Sequence, residues 1–182
     1  FELTGAQKRV LKEIRTDMAS PKVMNRLLQG DVGSGKTIVA ILASAVAVGN
    51  GAQVAVMAPT EILAHQHYHV FKSHLDAVRV PTALLVGKQK STERKKILAA
   101  IQEGRVNVVV GTHAIIQDEV TFQDLGLVII DEQQRFGVLQ RGKLLSKGDN
   151  PDILAMTATP IPRTLAITYH GDMELSLLDE MP

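Results

Sequence analysis

Apolar residues recur along this chain in two alternating patterns: short aliphatic runs, and longer stretches in which they return every three or four positions. Between residues 4 and 18, Val10, Leu11, Ile14 and Met18 share one helical face. Thr4 stands where an N-cap belongs, with Gln7 three residues on, so the spacing predicts a capped helix that Ser20-Pro21 closes. Arg26-Leu27-Leu28-Gln29 reads as a short strand, residues 36–48 as a buried helix, and Gly49-Asn50-Gly51 as its stop. Residues 53–58 form the next predicted strand, broken by Pro59-Thr60, and Thr60 caps a helix to about Leu75. Pro81 precedes a strand over 82–86 that Gly87 ends; a helix then runs through about Gln102 and stops at Gly104. Further strands are predicted over 106–110, 127–130 and 153–156.

Strands alternating with helices predict βαβ units with right-handed crossovers. The expected fold class is therefore α/β, a mostly parallel sheet with helices on both faces. Ligands of such sheets gather outside the carboxyl ends of the strands. Gly30, Pro59-Thr60, Gly87, Gly111-Thr112, Asp131-Glu132 and Thr157-Ala158-Thr159 all fall at predicted strand ends, so one sheet edge collects the unusual segments.

Composition changes this picture little. The 182 residues suit one domain, and aromatics at 3% with no Trp leave the core to aliphatic side chains, as parallel sheets require. A formal net charge of +1 neither demands nor excludes a nucleic-acid partner. The chain has no cysteine, hence no disulfide framework or thiolate metal site, which fits a reducing compartment and makes the cytoplasm the expected location. The longest apolar run, residues 38–48 with Ser44 inside, is too short to span a bilayer. The chain opens on Phe1 without a signal-like order of charges and ends on Met181-Pro182, and reads as a piece of a larger protein.

Candidate chemistry centres on Gly30-Asp31-Val32-Gly33-Ser34-Gly35-Lys36-Thr37. Glycines at this spacing let backbone N–H groups curl toward phosphate oxygens, and a helix starting near Lys36 adds its positive end. Lys36 is then placed to reach β- and γ-phosphates and Thr37 to ligate Mg²⁺. An apolar run delivering Asp131-Glu132 at its carboxyl end supplies a Mg²⁺ carboxylate, Asp131, and a group to orient and deprotonate water, Glu132. His65 and His69 lie one helical turn apart, but no third ligand is spaced to join them. The basic run Lys88, Lys90, Arg94, Lys95 and Lys96 reads equally as a DNA contact or a solvated helix face.

Residues 30–37, Asp131-Glu132-Gln133-Gln134 and Thr157-Ala158-Thr159 resemble motifs I, II and III of superfamily 2 helicases, spaced as in the first RecA-like lobe. Residues 57–64, 111–114, 126–137 and 157–164 extend the resemblance to the RecG-type DNA helicases over essentially the whole chain. Transcription-repair coupling factors are the nearest relatives, in which Phe is expected at Ser34 and Glu at Gln133.

The resemblance implies one RecA-like ATP-binding lobe over residues 1–182 of a DNA helicase that hydrolyses ATP to remodel branched DNA in repair and recombination. It implies ATP and Mg²⁺ as ligands. DNA, a second RecA-like lobe and a wedge domain of the same full-length chain are the implied partners, with no membrane. Phe1 and Gln7 resemble an adenine-reading motif, although Gln7 is equally spaced to complete a capping box. Pro59, Thr60, Gly87, Gly111, Thr112 and His113 correspond to loops that hold one DNA strand by its backbone. Thr157 and Thr159 correspond to a link between phosphate state and DNA grip, shared with Gln134, which stands where the family usually has His. A coupling-factor motor lobe and a non-motor phosphate-loop ATPase are the alternative readings.

Overall fold

The computed structural model describes residues 2–31, 34–132, 137–159 and 173–179. Along the chain run α1 (Gly5–Ala19), β1 (Asn25–Gly30), α2 (Lys36–Gly49), β2 (Gln53–Met57), α3 (Glu61–Asp76), β3 (Thr82–Leu85) and α4 (Ser91–Gln102). They are followed by β4 (Val108–Gly111), a 3-10 turn (His113–Ile116), β5 (Leu125–Asp131), α5 (Val138–Leu145), β6 (Asp152–Thr157) and β7 (Glu174–Leu178). The strands form one sheet in the order β3-β4-β2-β5-β6-β1-β7, and every neighbouring pair is parallel.

Side-chain alternation along the strands divides the core into two layers. Leu28, Val54, Val56, Val108, Val110, Leu127, Ile129, Leu154 and Met156 pack with α1, α2 and α3, through residues such as Val10, Ile14, Ala40, Phe71 and Leu75. The intervening residues Ala55, Met57, Val109, Val128 and Ile130 pack on the other face with Ile101 of α4, Ile115 of the 3-10 turn and Leu144 of α5. Both faces are covered, which is why the strands read as continuous aliphatic runs.

Most predicted elements stand within a residue or two of their expected bounds. The crossover from β4 to β5 departs from strict alternation, since a 3-10 turn and loop serve where a helix was expected. Neither α5 nor β7 was expected. The α1 cap follows the sequence: Gln7 N donates to Thr4 Oγ1 at 3.1 Å and Thr4 N to Gln7 Oε1 at 2.9 Å. Ser44, the polar residue inside α2, is fully buried and donates to Ala40 O at 2.8 Å, so the helix absorbs its own polar group.

One buried amide sets a strand register. β2 pairs with β5 through a shift, Gln53 opposite Leu125 but Val54 opposite Leu127. Gln53 lies at the shift, 3% exposed, and its side chain makes four hydrogen bonds. Nε2 donates to Ile101 O at 2.9 Å and Val106 O at 2.8 Å; Oε1 accepts from Gln123 N at 2.8 Å and Asp124 N at 2.9 Å. A slip of one residue would turn every β5 side chain to the opposite face.

Candidate functional site

Three adjacent strands, β5, β6 and β1, bring Asp131, Thr157 and Gly30 side by side at their carboxyl ends. β1 and β2 are successive in the chain yet separated in the sheet by β6 and β5, so the crossover through α2 opens a crevice above those ends.

The loop after β1 turns into α2 through Gly35, whose φ of 89° and ψ of 25° are left-handed values that favour glycine. Gly30 has a different reason to lack a side chain. A Cβ there would collide with Ser34 Oγ and stand 3.0 Å from Leu178 Cβ, so this glycine serves close packing of the loop on β1 and β7. Val32 and Gly33 lie outside the described residues, as does Phe1.

Lys36 Nζ donates to Gly30 O at 2.6 Å and Asp31 O at 3.2 Å, folding the ammonium back over the loop. Burial pushes its pKa below the ordinary lysine value, while the carboxylates of Asp131, Glu132 and Asp31 pull it back up. Ser34 Oγ is buried beneath the loop with no hydrogen-bond partner, singular in this among the described side chains. A half-buried cation and an orphaned hydroxyl thus flank Gly35 at the N-terminus of α2, a donor set that fits an anionic phosphate chain. Thr37 is half-buried on the first turn of α2 beside them.

Asp131 and Glu132 take different directions. Leu127 and Ile129 face α1, α2 and α3, and Asp131, two residues further, continues on that face. Its Oδ2 lies 2.7 Å from His67 Nε2, with each side chain 13% exposed. Glu132 leaves the strand at φ 53°, a left-handed conformation for a non-glycine residue. There its carboxylate accepts from Thr157 Oγ1 at 3.4 Å and Ala158 N at 3.3 Å. Thr159 N donates to Thr157 Oγ1 at 3.1 Å, so the end of β6 is wired to Glu132. Gln134, expected to share this link, lies outside the described residues.

Gln7 is buried, and its Nε2 donates to Gly35 O at 3.4 Å while Oε1 serves the cap. The capping arrangement is thus present in full, and the same amide ties α1 to the turn into α2.

The remaining strand-end residues lie further along the same edge. Exposed Thr60 caps α3 by accepting from Leu63 N at 3.2 Å, with Pro59 half-buried before it. Thr112 is buried, and its hydroxyl accepts from Ala114 N at 3.4 Å to cap the 3-10 turn; His113 is exposed beside it. A Cβ on Gly111 would collide with the Leu85 carbonyl, so spacing between β3 and β4 requires that glycine. Gly87 is exposed and meets no such obstacle. In the basic run, Arg94 pairs with Glu119 at 2.6 Å, whereas Lys88, Lys90, Lys95 and Lys96 are exposed. His65 and His69 are also exposed, and among the described residues no three His, Cys, Asp or Glu side chains are grouped to hold a metal ion by themselves.

Between those two on the same helix stands His67, to which the sequence assigns no role. His67 lies three residues after buried Ala64 and four before buried Phe71, on the stripe of α3 that faces the sheet, and stands edge-on to Phe71 at 6.4 Å. That periodicity was the available signal.

Residues 4–167 match the DEAD/DEAH box helicase family. The chain belongs to this family. As a DEAD/DEAH box helicase chain it is 58% identical over its whole length to the ATP-dependent DNA helicase RecG of Bacillus subtilis, and 56% to that of Synechocystis. It spans 27% and 22% of those two proteins, so about a quarter of the relatives' length. A solved RecG structure bound to a three-way DNA junction superimposes with a TM-score of 0.88 at 50% identity, covering 100% of this chain and 24% of that one. A DEAD box protein from Methanococcus jannaschii, 22% identical with a TM-score of 0.71 over 96% of this chain and 49% of its own, shares the fold. The RecA-like helicase lobe fold expected from the sequence is thereby established. No helix among the described residues is long and apolar enough to cross a membrane.

Proposed function

We propose that residues 1–182 form the first RecA-like motor lobe of a longer RecG-type helicase, which couples ATP hydrolysis to remodelling of branched DNA. One observation carries the reading: three adjacent parallel strands end on Gly30, whose carbonyl accepts from Lys36, on Asp131, and on Thr157, which is hydrogen-bonded to Glu132. The RecG relative bound to a three-way junction supports branched DNA as the partner.

ATP is the substrate in this reading. Residues 30–36 hold the phosphates through backbone N–H groups and the Lys36 ammonium, which exchanges the Gly30 and Asp31 carbonyls for phosphate oxygens. Thr37 and Asp131 would hold Mg²⁺, which spreads charge developing between the β- and γ-phosphates. Glu132 orients a water and takes its proton as the water oxygen bonds to the γ-phosphorus and the bond to the β–γ bridging oxygen breaks. Because Glu132 also accepts from Thr157 Oγ1 and Ala158 N, its carboxylate is tied to the loop after β6, which gives γ-phosphate state a route to the DNA-facing edge. Pro59, Thr60, Gly87 and His113 line that edge, with Gly111 and Thr112 shaping it from beneath. Gln7 reads the adenine edge by releasing its bonds with Thr4 N and Gly35 O, and Phe1 packs on the base.

The test is ATP hydrolysis by the full-length protein with and without a branched DNA. Stimulation by DNA is expected, whereas residues 1–182 alone hydrolyse ATP slowly and do not unwind, lacking the second lobe. Absence of stimulation in the full-length protein, or robust unwinding by residues 1–182 alone, overturns the reading.

A further inference from the structure

The nucleotide site has a support that the motifs do not contain. Asp131 ends β5 on the face covered by α3, and α3 presents His67 to it at 2.7 Å. The contact joins residues 64 positions apart in sequence and is mostly shielded, each side chain being 13% exposed. Phe71, one helical turn further, holds the imidazole edge-on, which limits its rotation.

We infer that His67 is a positioning residue for Asp131: by donating from Nε2 to Oδ2 it fixes the carboxylate so that the other oxygen faces the divalent cation of the proposed nucleotide site. The inference rests on the function proposed above. Three features support it. A carboxylate held by one donor presents its remaining lone pairs in a single direction, and such outer partners set metal affinity. Asp131 ends β5 near enough to the phosphate loop for its charge to act on the Lys36 ammonium. Finally, Ala64, Phe71 and Leu75 anchor α3 in the core, which keeps the imidazole from following a freely rotating carboxylate.

A merely structural contact predicts something else. Loss of a partly buried hydrogen bond would lower stability and leave nucleotide binding equally altered with and without the cation. Two substitutions in the full-length protein separate the cases. His67→Leu keeps apolar packing against Phe71 and removes the donor; His67→Gln keeps an N–H donor at comparable reach. Binding of a fluorescent ADP analogue is measured in EDTA and in excess MgCl₂, at one fixed pH, together with thermal melting.

In the unsubstituted protein Mg²⁺ tightens binding. In His67→Leu the Mg²⁺-dependent gain falls about tenfold while binding in EDTA is unchanged. His67→Gln restores most of the gain. Equal Mg²⁺ dependence in His67→Leu and the unsubstituted protein overturns the inference, as does an equal loss in both buffers or a failure of Gln to restore. Absence of nucleotide binding by the unsubstituted protein in either buffer overturns the proposed function, and the inference with it. A change confined to the Leu variant's Mg²⁺ response is the one pattern that a packing role does not produce.

Discussion

Replacing Gln53 by Leu tests whether a buried amide, rather than the aliphatic runs alone, holds the site edge in register. The side chain is 3% exposed and saturated, two donors and two acceptor contacts at 2.8 to 2.9 Å. Leucine has similar bulk and removes all four bonds. Ile101 O keeps the Gly104 N–H at 3.1 Å, so three backbone groups, Val106 O, Gln123 N and Asp124 N, lose the partner the amide gave them. The three stranded groups are part-buried, so each costs about 1–2 kcal/mol, against a gain of roughly 1 kcal/mol from burying the more apolar side chain. The net expectation is a loss of about 2–5 kcal/mol. With a urea m-value of about 2 kcal/mol/M, the unfolding midpoint falls by roughly 1–2.5 M. Gln53→Glu sharpens the test, because a carboxylate would face the Ile101 and Val106 carbonyls in place of a donor, and it should be at least as damaging at neutral pH. A loss under about 1 kcal/mol for Leu, or an unchanged midpoint for Glu, refutes the claim that this amide pins the β2–β5 shift.

Other substitutions probe the site itself. Lys36→Ala in the full-length protein removes charge-assisted bonds of about 1.5–3 kcal/mol, so nucleotide affinity drops about 10- to 100-fold in equilibrium titration, while melting changes little because burial already disfavours the ammonium. Thr157→Val keeps the shape but removes the donor to Glu132 and the acceptor for Thr159 N; stability falls by about 1 kcal/mol, and the ratio of ATPase rates with and without DNA shrinks more than the basal rate. Burial raises the Asp152 carboxyl above its ordinary value, against the pull of its hydrogen bond from Met24 N and with a further push from Asp17. Ionised Asp152 thus costs stability in full at pH above its folded pKa; the cost shrinks as pH falls through that value and is gone only below the ordinary carboxyl value. Asp152→Asn, which retains the acceptor, should melt higher at neutral pH, with the gap closing on acidification.

Elements buried on both faces were legible because nothing but aliphatic side chains fits there, and β2, β4 and β5 announce themselves this way. β7 did not, because it is an edge strand whose burial alternates and whose Leu177 remains 44% exposed. α5 escaped for a related reason: Leu139 is 84% exposed, so its apolar spacing misreports the buried face carrying Leu144. Within the proposed site, Lys36, Asp131 and Glu132 could be nominated from contiguous patterns, a glycine-spaced loop and an apolar run ending in two carboxylates. Gln53 and His67 could not, since each acts through partners far away in the chain. Glycines were the least decipherable, because sequence spells a turn, a close approach and an open loop with the same residue. Only the fold distinguishes Gly35 from Gly111 and Gly87.

Adjacent carboxylates on an extended strand point to opposite faces of a sheet, and a site needing both on one edge must resolve that conflict. This chain does so with one residue. Asp131 keeps the strand's alternation and stays on the α3 face with His67, whereas Glu132 turns left-handed and crosses to the end of β6. The turn costs about 1–2 kcal/mol for a side chain with a Cβ. It is held by the Glu132 N–H donating to Met156 O at 2.9 Å and by the two contacts to Thr157 and Ala158. The consequence is a separation of duties: one carboxylate is anchored to a helix packed in the core, and its neighbour is anchored to a strand-end loop. A displacement of the loop after β6 reaches Glu132 through those contacts without passing through Asp131. Under the proposed mechanism, communication between the edge and the nucleotide is therefore expected to alter the positioning of water by Glu132 more than the holding of the cation by Asp131.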